Sequence, residues 1–243
     1  MARTVIVTGS SSGIGLDLAR ALVERGDNVV LHGRDEEKLA KAVVQVGGDR
    51  QVVAVAGDVR QAKVGESLVR AAVDAFGRVD ALVNSAGSFG AKPFVDVEES
   101  DLDEFLGGNL KGTFFTTQAA VRQMIAQGGG GSVVNIGTVF VDHALTGFPS
   151  SAPLVSKGAV HTLTTALAAE LAPHQIRVNL IAPGIIRTPM HDPSAGETMG
   201  ALHLLNRIGE VDETTAGILF LLDSSFTTGH VLRVDGGYVA GRS

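Results

Sequence analysis

The β-branched run Val5-Ile6-Val7 passes directly into Thr8-Gly9-Ser10-Ser11-Ser12-Gly13-Ile14-Gly15, and that junction constrains the fold more than anything after it. A short strand, a glycine-rich turn and then apolar residues at Ile14, Leu18, Ala21 and Leu22 read as strand, turn and helix, with Gly26 where a helix would end. Glycines let a backbone approach a ligand closely. The first turn of a helix offers unpaired N–H groups and a positive dipole end to a phosphate. A dinucleotide pyrophosphate suits that place. A bare strand-to-helix turn would carry the same glycines, so the junction alone leaves both readings open.

Strand-like and helix-like runs alternate to the end of the chain, which predicts a parallel sheet with crossover helices. Strands are expected near residues 28–32, 51–56, 79–84, 133–136, 177–181 and 231–234, and helices near 36–46, 62–76, 100–127, 153–171 and 214–222. With 243 residues, 44% of them apolar, the sequence fits a single doubly wound α/β domain of about seven strands, covered on both faces. A net charge of −6 argues against nucleic acid or an anionic membrane as partner, and no segment is apolar enough to span a bilayer. Cysteine is absent, which excludes disulfides and a thiolate nucleophile, and the seven histidines show no metal-site spacing. No basic, apolar leader opens the chain, so the expected location is cytoplasmic.

Further motifs follow in a fixed order: Asp58-Val59, NSAG at residues 84–87, Asn109 within GNLKGTF, and Asn135-Ile136 on the fifth strand. Ser156-Lys157, RVNLIAPG at 177–184, Thr188 and VDGG at 234–237 complete the series. Over essentially its whole length the chain resembles the short-chain dehydrogenase/reductase family. The resemblance implies a Rossmann-type sheet with a nicotinamide dinucleotide across its carboxyl edge, while the particular reaction stays open.

Carried over by resemblance, the pyrophosphate turn is Gly9, Ser11, Gly13, Ile14 and Gly15, and Asp58 and Val59 flank the adenine. Asn84 and Gly87 resemble the turn along the ribose, and Pro183, Gly184, Ile186 and Thr188 resemble the segment that holds the nicotinamide carboxamide. An acidic group at the end of the second strand accepts from a ribose 2′-hydroxyl and repels a 2′-phosphate. Here that place is Gly33, followed by Arg34, which favours NADP(H) over NAD(H) through charge-assisted hydrogen bonds. The opposing reading has Asp35 turning inward to favour NAD.

The family's hydride chemistry resembles a relay of asparagine, serine, tyrosine and lysine, with tyrosine and lysine one helical turn apart on one face. In this chain Asn109 and Lys157 match, Thr138 stands for the serine, and Pro153 stands where the tyrosine would be. Proline suits a helix start at that residue, because its missing N–H would be unpaired there anyway. Tyr238, the sole tyrosine, follows VDGG and is far away in sequence. The replacement proton source is expected to be a water held by Lys157 and Asn109, or His143 in the loop after Thr138.

The sequence therefore supports an NADP(H)-dependent carbonyl reductase or alcohol dehydrogenase acting on a small carbonyl or alcohol by an altered proton route. The alternative is a catalytically weak or inactive module that keeps the dinucleotide as a sensor or partner surface; a third, weaker reading is an isomerisation or elimination through His143. Residues 188–210 resemble a flap covering substrate, with Met190, His191, Met199 and Leu202 as candidate lining. The long helices with small residues, such as Ala119, Ala120, Ala159, Ala166 and Ala169, resemble those that pair across a twofold axis, so a homo-tetramer, a dimer of dimers, is expected.

Overall fold

The computed structural model describes residues 2–48, 50–189 and 199–241. All the expected strands form and join a single sheet. They are β1 (Thr4–Thr8), β2 (Asn28–Gly33), β3 (Val52–Ala56), β4 (Ala81–Asn84), β5 (Gly131–Ile136), β6 (Ile176–Pro183) and β7 (Val231–Val234). Their order is β3-β2-β1-β4-β5-β6-β7, each pair parallel. The helices are α1 (Gly13–Glu24), α2 (Glu36–Val46), α3 (Ala62–Phe76), α4 (Glu99–Phe105), α5 (Gly112–Gln127), α6 (Ser151–Leu171) and α7 (Val211–Asp223).

Strand alternation divides the core between the two faces. Val5 and Val7 of β1 pack with Leu18 and Leu22 of α1 and Ile218 and Leu221 of α7. Ile6, between them, joins the opposite core with Leu68 of α3, Met124 of α5 and Leu171 of α6. Each such side chain, fully buried, contributes roughly 1.5–3 kcal/mol, so strand composition alone commits the sheet to two covering layers. Strand order reverses between β1 and β4, and a crevice opens at their carboxyl ends, where an open α/β sheet takes its ligand.

Two expected boundaries differ from those observed. The helix foreseen over 100–127 is α4 and α5 joined by a π-helical turn, Leu106–Lys111, which contains Asn109. Apolar periodicity does not show such a turn, because one inserted residue leaves the hydrophobic content unchanged. Helix α6 begins at Ser151, two residues before Pro153, so the pre-proline preference of Ala152 for extended backbone is overridden. Pro153 still lies in the first turn, where its missing N–H costs no helical hydrogen bond.

Candidate active site

A cavity of about 560 Å³ runs along the carboxyl ends of β1, β4, β5 and β6. Its floor at one end is the glycine turn. Gly9 has φ +65°, and a Cβ there would lie 2.7 Å from Ala86 Cα, so only glycine lets this turn meet the loop after β4. Thr8 Oγ1 accepts from the Ser85 and Ala86 N–H groups at 3.1 and 3.0 Å, which fixes that meeting. A Cβ on Gly15 would strike the Gly9 carbonyl at 2.6 Å, so the turn coils tightly into α1. Ser12 caps α1 without a side-chain hydrogen bond, and Gly13 and Ile14 of the first turn, whose N–H groups have no helical partner, line the cavity floor; Gly15 does not line it and packs behind the turn on Gly9. A cradle of this shape, floored by helix N–H groups, fits a pyrophosphate.

The end of the cavity beside β2 and β3, where the sequence leads one to expect the adenosine, is lined by His32, Gly33, Arg34, Asp58, Val59 and Arg60. A Cβ on Gly33 would touch Ser11 Oγ at 3.0 Å, which places that hydroxyl over the end of β2 beside Arg34. Asp35 does not turn inward: its carboxylate caps α2 by accepting from the Lys38 N–H at 3.0 Å. Arg60 holds the Asp58 carboxylate, donating from Nε at 2.7 Å and from its backbone N–H at 3.0 Å. That pairing keeps Asp58 below the usual carboxylate range and leaves it fewer free lone pairs for an adenine amine. Arg60 is not singled out by the sequence motifs, although its position two residues after Asp58 is a local signal for this pairing.

At the other end, Lys157 Nζ donates to the Ile136 carbonyl at 2.7 Å. A Cβ on Gly87 would lie 2.8 Å from Asn109 Oδ1 and 3.2 Å from Lys157 Nζ, so bare Gly87 is what allows these groups to converge. Burial of the amine among these walls lowers the Lys157 pKa to about 8. Asn109 is itself enclosed. Its Oδ1 accepts from Ser88 N at 2.9 Å, and its Nδ2 donates to the Ser88 carbonyl at 3.0 Å and to Ser156 Oγ at 2.9 Å. Ser156 Oγ donates in turn to the Pro153 carbonyl at 2.8 Å. Both amide hydrogens of Asn109 are therefore committed, and it can offer a water only an acceptor.

Thr138 lines the cavity and accepts from the Phe140 N–H at 3.3 Å through its hydroxyl oxygen. Beyond it Phe89, Phe140 and Phe148 form an aromatic wall, with Phe89 and Phe148 stacked at 6.1 Å between centroids. Thr188 lines the cavity next to Gly13, its Cγ2 lying 3.5 Å from where a Gly13 Cβ would be. Pro183, Gly184 and Ile186 line the same side, and the Gly184 N–H donates to the Val234 carbonyl at 3.0 Å.

Three comparisons bear on this geometry. The family model described as enoyl-(acyl carrier protein) reductase matches residues 9–239. L-rhamnose 1-dehydrogenase (NAD(P)(+)) of Azotobacter vinelandii is 37% identical over 250 aligned positions, covering 97% of this chain and 96% of that one. The crystal structure of a short-chain type dehydrogenase/reductase from Mycobacterium marinum superposes with TM-score 0.94 at 31% identity, covering 98% and 96% of the two chains.

This chain belongs to the short-chain dehydrogenase/reductase family.

Oxidoreduction with a nicotinamide dinucleotide is the activity that membership brings. A further family structure, ElxO with NADP bound, superposes with TM-score 0.91 at 29% identity, covering 99% of this chain and 100% of that one.

Against this family background, several expected residues lie elsewhere. Asn84 does not line the cavity: its Nδ2 donates to Thr117 Oγ1 and Asn135 Oδ1, both at 2.9 Å, inside a buried network. His143 packs edge-on against Tyr238 at 5.8 Å and is not among the lining residues. Tyr238 donates its hydroxyl to the His143 carbonyl at 3.2 Å and also stands outside the cavity. Met199 lines the cavity, whereas Leu202 packs into the core around Val139 and Tyr238. Met190 and His191 lie outside the described residues. Residues 199–210 are tied to the body of the protein, through Leu205 N–H to Gly236 O at 3.0 Å and Ile185 N–H to His203 Nε2 at 3.2 Å. No helix among the described residues is long and apolar enough to cross a membrane, and no metal-binding cluster is found among them.

Proposed function

We propose that this short-chain dehydrogenase/reductase is an NADP(H)-preferring carbonyl reductase or alcohol dehydrogenase in which Lys157 supplies the proton that a tyrosine otherwise would. The observation that carries this is the Lys157 amine, buried beside Gly87 and the Ile136 carbonyl in a cavity whose other end fits a dinucleotide. Hydride chemistry comes with the bound dinucleotide. Thr138 holds the substrate oxygen by its hydroxyl, and the Lys157 ammonium gives that oxygen a proton, directly or through one water. With a pKa of about 8, Lys157 is a stronger acid than an ordinary lysine and remains mostly protonated at neutral pH.

Loss of the phenol costs about 10²–10⁴-fold as a general acid, whereas orientation supplies effective molarities on the order of 10⁵ M or more. Turnover therefore survives at a reduced rate. Ser11 over Gly33, Arg34 at the strand end and Asp35 diverted to capping support the choice of NADP(H). The wall of Phe89, Phe140 and Phe148 supports an uncharged carbonyl compound with apolar bulk. Thr188, Pro189 and Met199 line the cavity, which supports a substrate-covering role for residues 188–210 within a single domain. The protein works as a cytoplasmic homo-tetramer, a reading supported by exposed Phe220 on α7 and Phe226 just before edge strand β7.

The test is NADPH oxidation with a panel of aryl and alicyclic ketones, alongside calorimetry with NADPH and NADH. Ketone-dependent oxidation that vanishes in Lys157→Met is expected. Tight NADPH binding with no oxidation above solvent background would favour the second reading, a dinucleotide-binding sensor, which Pro153 motivates.

A further inference from the structure

We propose that neutral His32 is a positioning residue for the glycine turn, and that protonation of its ring releases Gly9 and weakens dinucleotide binding in acid. The inference rests on the reading that this turn holds the dinucleotide. His32 is the penultimate residue of β2, only 1% exposed, with its ring in the wall of the adenosine end. The Gly9 backbone N–H donates to His32 Nδ1 at 3.2 Å, and His32 Nε2 lies 3.0 Å from the Gly57 carbonyl oxygen.

Those two partners fix the tautomer. A backbone N–H can only donate and a carbonyl can only accept, so Nδ1 is bare and Nε2 carries the hydrogen. The neutral ring satisfies both. The imidazolium cannot, because a proton on Nδ1 faces the Gly9 N–H, and one of the two donors must turn away. Gly9 has little freedom to adjust: its φ is +65°, and even a Cβ there would lie 2.7 Å from Ala86 Cα. The ring thus clamps the first glycine of the turn to Gly57, which directly precedes Asp58, and joins the two walls of the adenosine end.

The backbone of His32 is fixed independently of its ring. Its N–H donates to Ser10 Oγ at 2.9 Å, and its carbonyl accepts from the Ser10 N–H at 2.9 Å. A protonated ring therefore cannot relieve the clash by moving the strand. The charged groups that act on the ring are Asp58, which favours the imidazolium, and Arg34, which opposes it; Asp58 is already engaged by Arg60, and residues 9–15 carry no ionisable side chain. Burial lowers the His32 pKa, in keeping with a ring that works in its neutral form.

The test compares wild type, His32→Asn and His32→Leu. Asparagine can place a non-titrating oxygen where Nδ1 accepts, whereas leucine removes both bonds. Affinity is measured by nucleotide fluorescence from about pH 8 down to about pH 4, extending below the ordinary imidazole range because burial lowers this ring, with the ring's own midpoint read from its nitrogen resonances. NADH serves beside NADPH because it lacks the 2′-phosphate, which itself titrates near pH ~6. At the alkaline end the expected order is wild type, then His32→Asn, then His32→Leu. In acid, wild type loses about tenfold in affinity per pH unit below the ring pKa and converges on His32→Leu, while His32→Asn stays level with NADH. Equal pH profiles in wild type and His32→Asn would overturn the proposal, as would wild-type affinity that rises in acid.

A measurement on the free protein separates this proposal from the assignment of function and stands even if His32→Leu fails to fold. The Gly9 amide resonance should shift with the same midpoint as the His32 ring nitrogens. A Gly9 amide indifferent to that titration overturns the clamp. A coupled titration in a protein that binds neither nucleotide supports the clamp and defeats the functional reading instead.

Discussion

Lys157 Nζ donates to the Ile136 carbonyl at 2.7 Å, so the amine that would serve chemistry is anchored to the last residue of β5 rather than held out in solvent. Enclosure there lowers its pKa from 10.5 to about 8. In that window the unfolded chain binds more protons than the native state, so this residue makes stability rise with pH from about 8 to about 10.5. At neutral pH the buried ammonium costs on the order of 3 kcal/mol as an upper figure. Lys157→Met should therefore be more stable than wild type at pH 7, with the gap closing toward pH 10. Urea denaturation at three pH values measures it, and a gap independent of pH would contradict the burial argument.

Pro153 occupies the first turn of α6, one helical turn before Lys157, and its carbonyl already anchors Ser156. Tyrosine at this position brings back a phenol without disturbing a helical hydrogen bond. Pro153→Tyr is expected to raise kcat for ketone reduction by about 10²-fold or more. Stopped-flow NADPH oxidation reads it, and a rate unchanged in a folded, cofactor-binding variant would show that the proton is not limiting.

Arg34 is the cation nearest the end of β2, and Asp35 is occupied in capping α2. Arg34→Asp should weaken NADPH binding by about 10–100-fold, the value of a hydrogen-bonded charge, with little effect on NADH. Calorimetry with both nucleotides decides it; equal losses for the two would mean that Arg34 does not face the 2′-position.

Beneath the cavity, Thr117, Asn84, Asn135 and Thr164 form a buried chain of hydrogen bonds, each 2.9 Å, tying α5, β4, β5 and α6 together. Asn84→Leu leaves Thr117 Oγ1 without its donor and Asn135 Oδ1 unpaired, at a cost of about 1–3 kcal/mol for each stranded group. Chemical denaturation should register the loss, and a change below about 0.5 kcal/mol would mean that water repairs the network.

The exposed apolar side chains of Phe220 and Phe226 beside edge strand β7 predict burial by a second copy. Light scattering at micromolar concentration should give the mass of four chains, and Phe226→Asp should lower it. A monomeric wild type would remove the tetramer from the account.

The sheet was legible in the sequence because β-branched runs alternate with amphipathic ones, and a strand such as Val5–Val7 has few other ways to bury both its faces. Positions on the backbone were legible too: Gly9, Gly15 and Gly87 mark places where a Cβ has no room. Side-chain commitments were not. Asn84 has the residue type of a ligand contact but spends its amide on Thr117 and Asn135, far along the chain. His143 follows Thr138 closely in sequence, yet the short helical turn at Val139–Val141 carries it round to Tyr238. Partner choice of this kind depends on distances across the fold, which spacing along the chain does not encode.

The π-helical turn at Leu106–Lys111 acts as a phase shifter. One surplus residue there offsets the faces of α4 and α5 by roughly 100° from the alignment a continuous helix would give them. Excising a single residue, Gly108 for instance, would leave composition and both cores nearly untouched while swinging Asn109 off its station beside Ser88 and Ser156. A one-codon deletion can therefore disconnect Asn109 from the loop after β4 and from α6 without unfolding the protein, so chain length at this point matters as well as the asparagine itself.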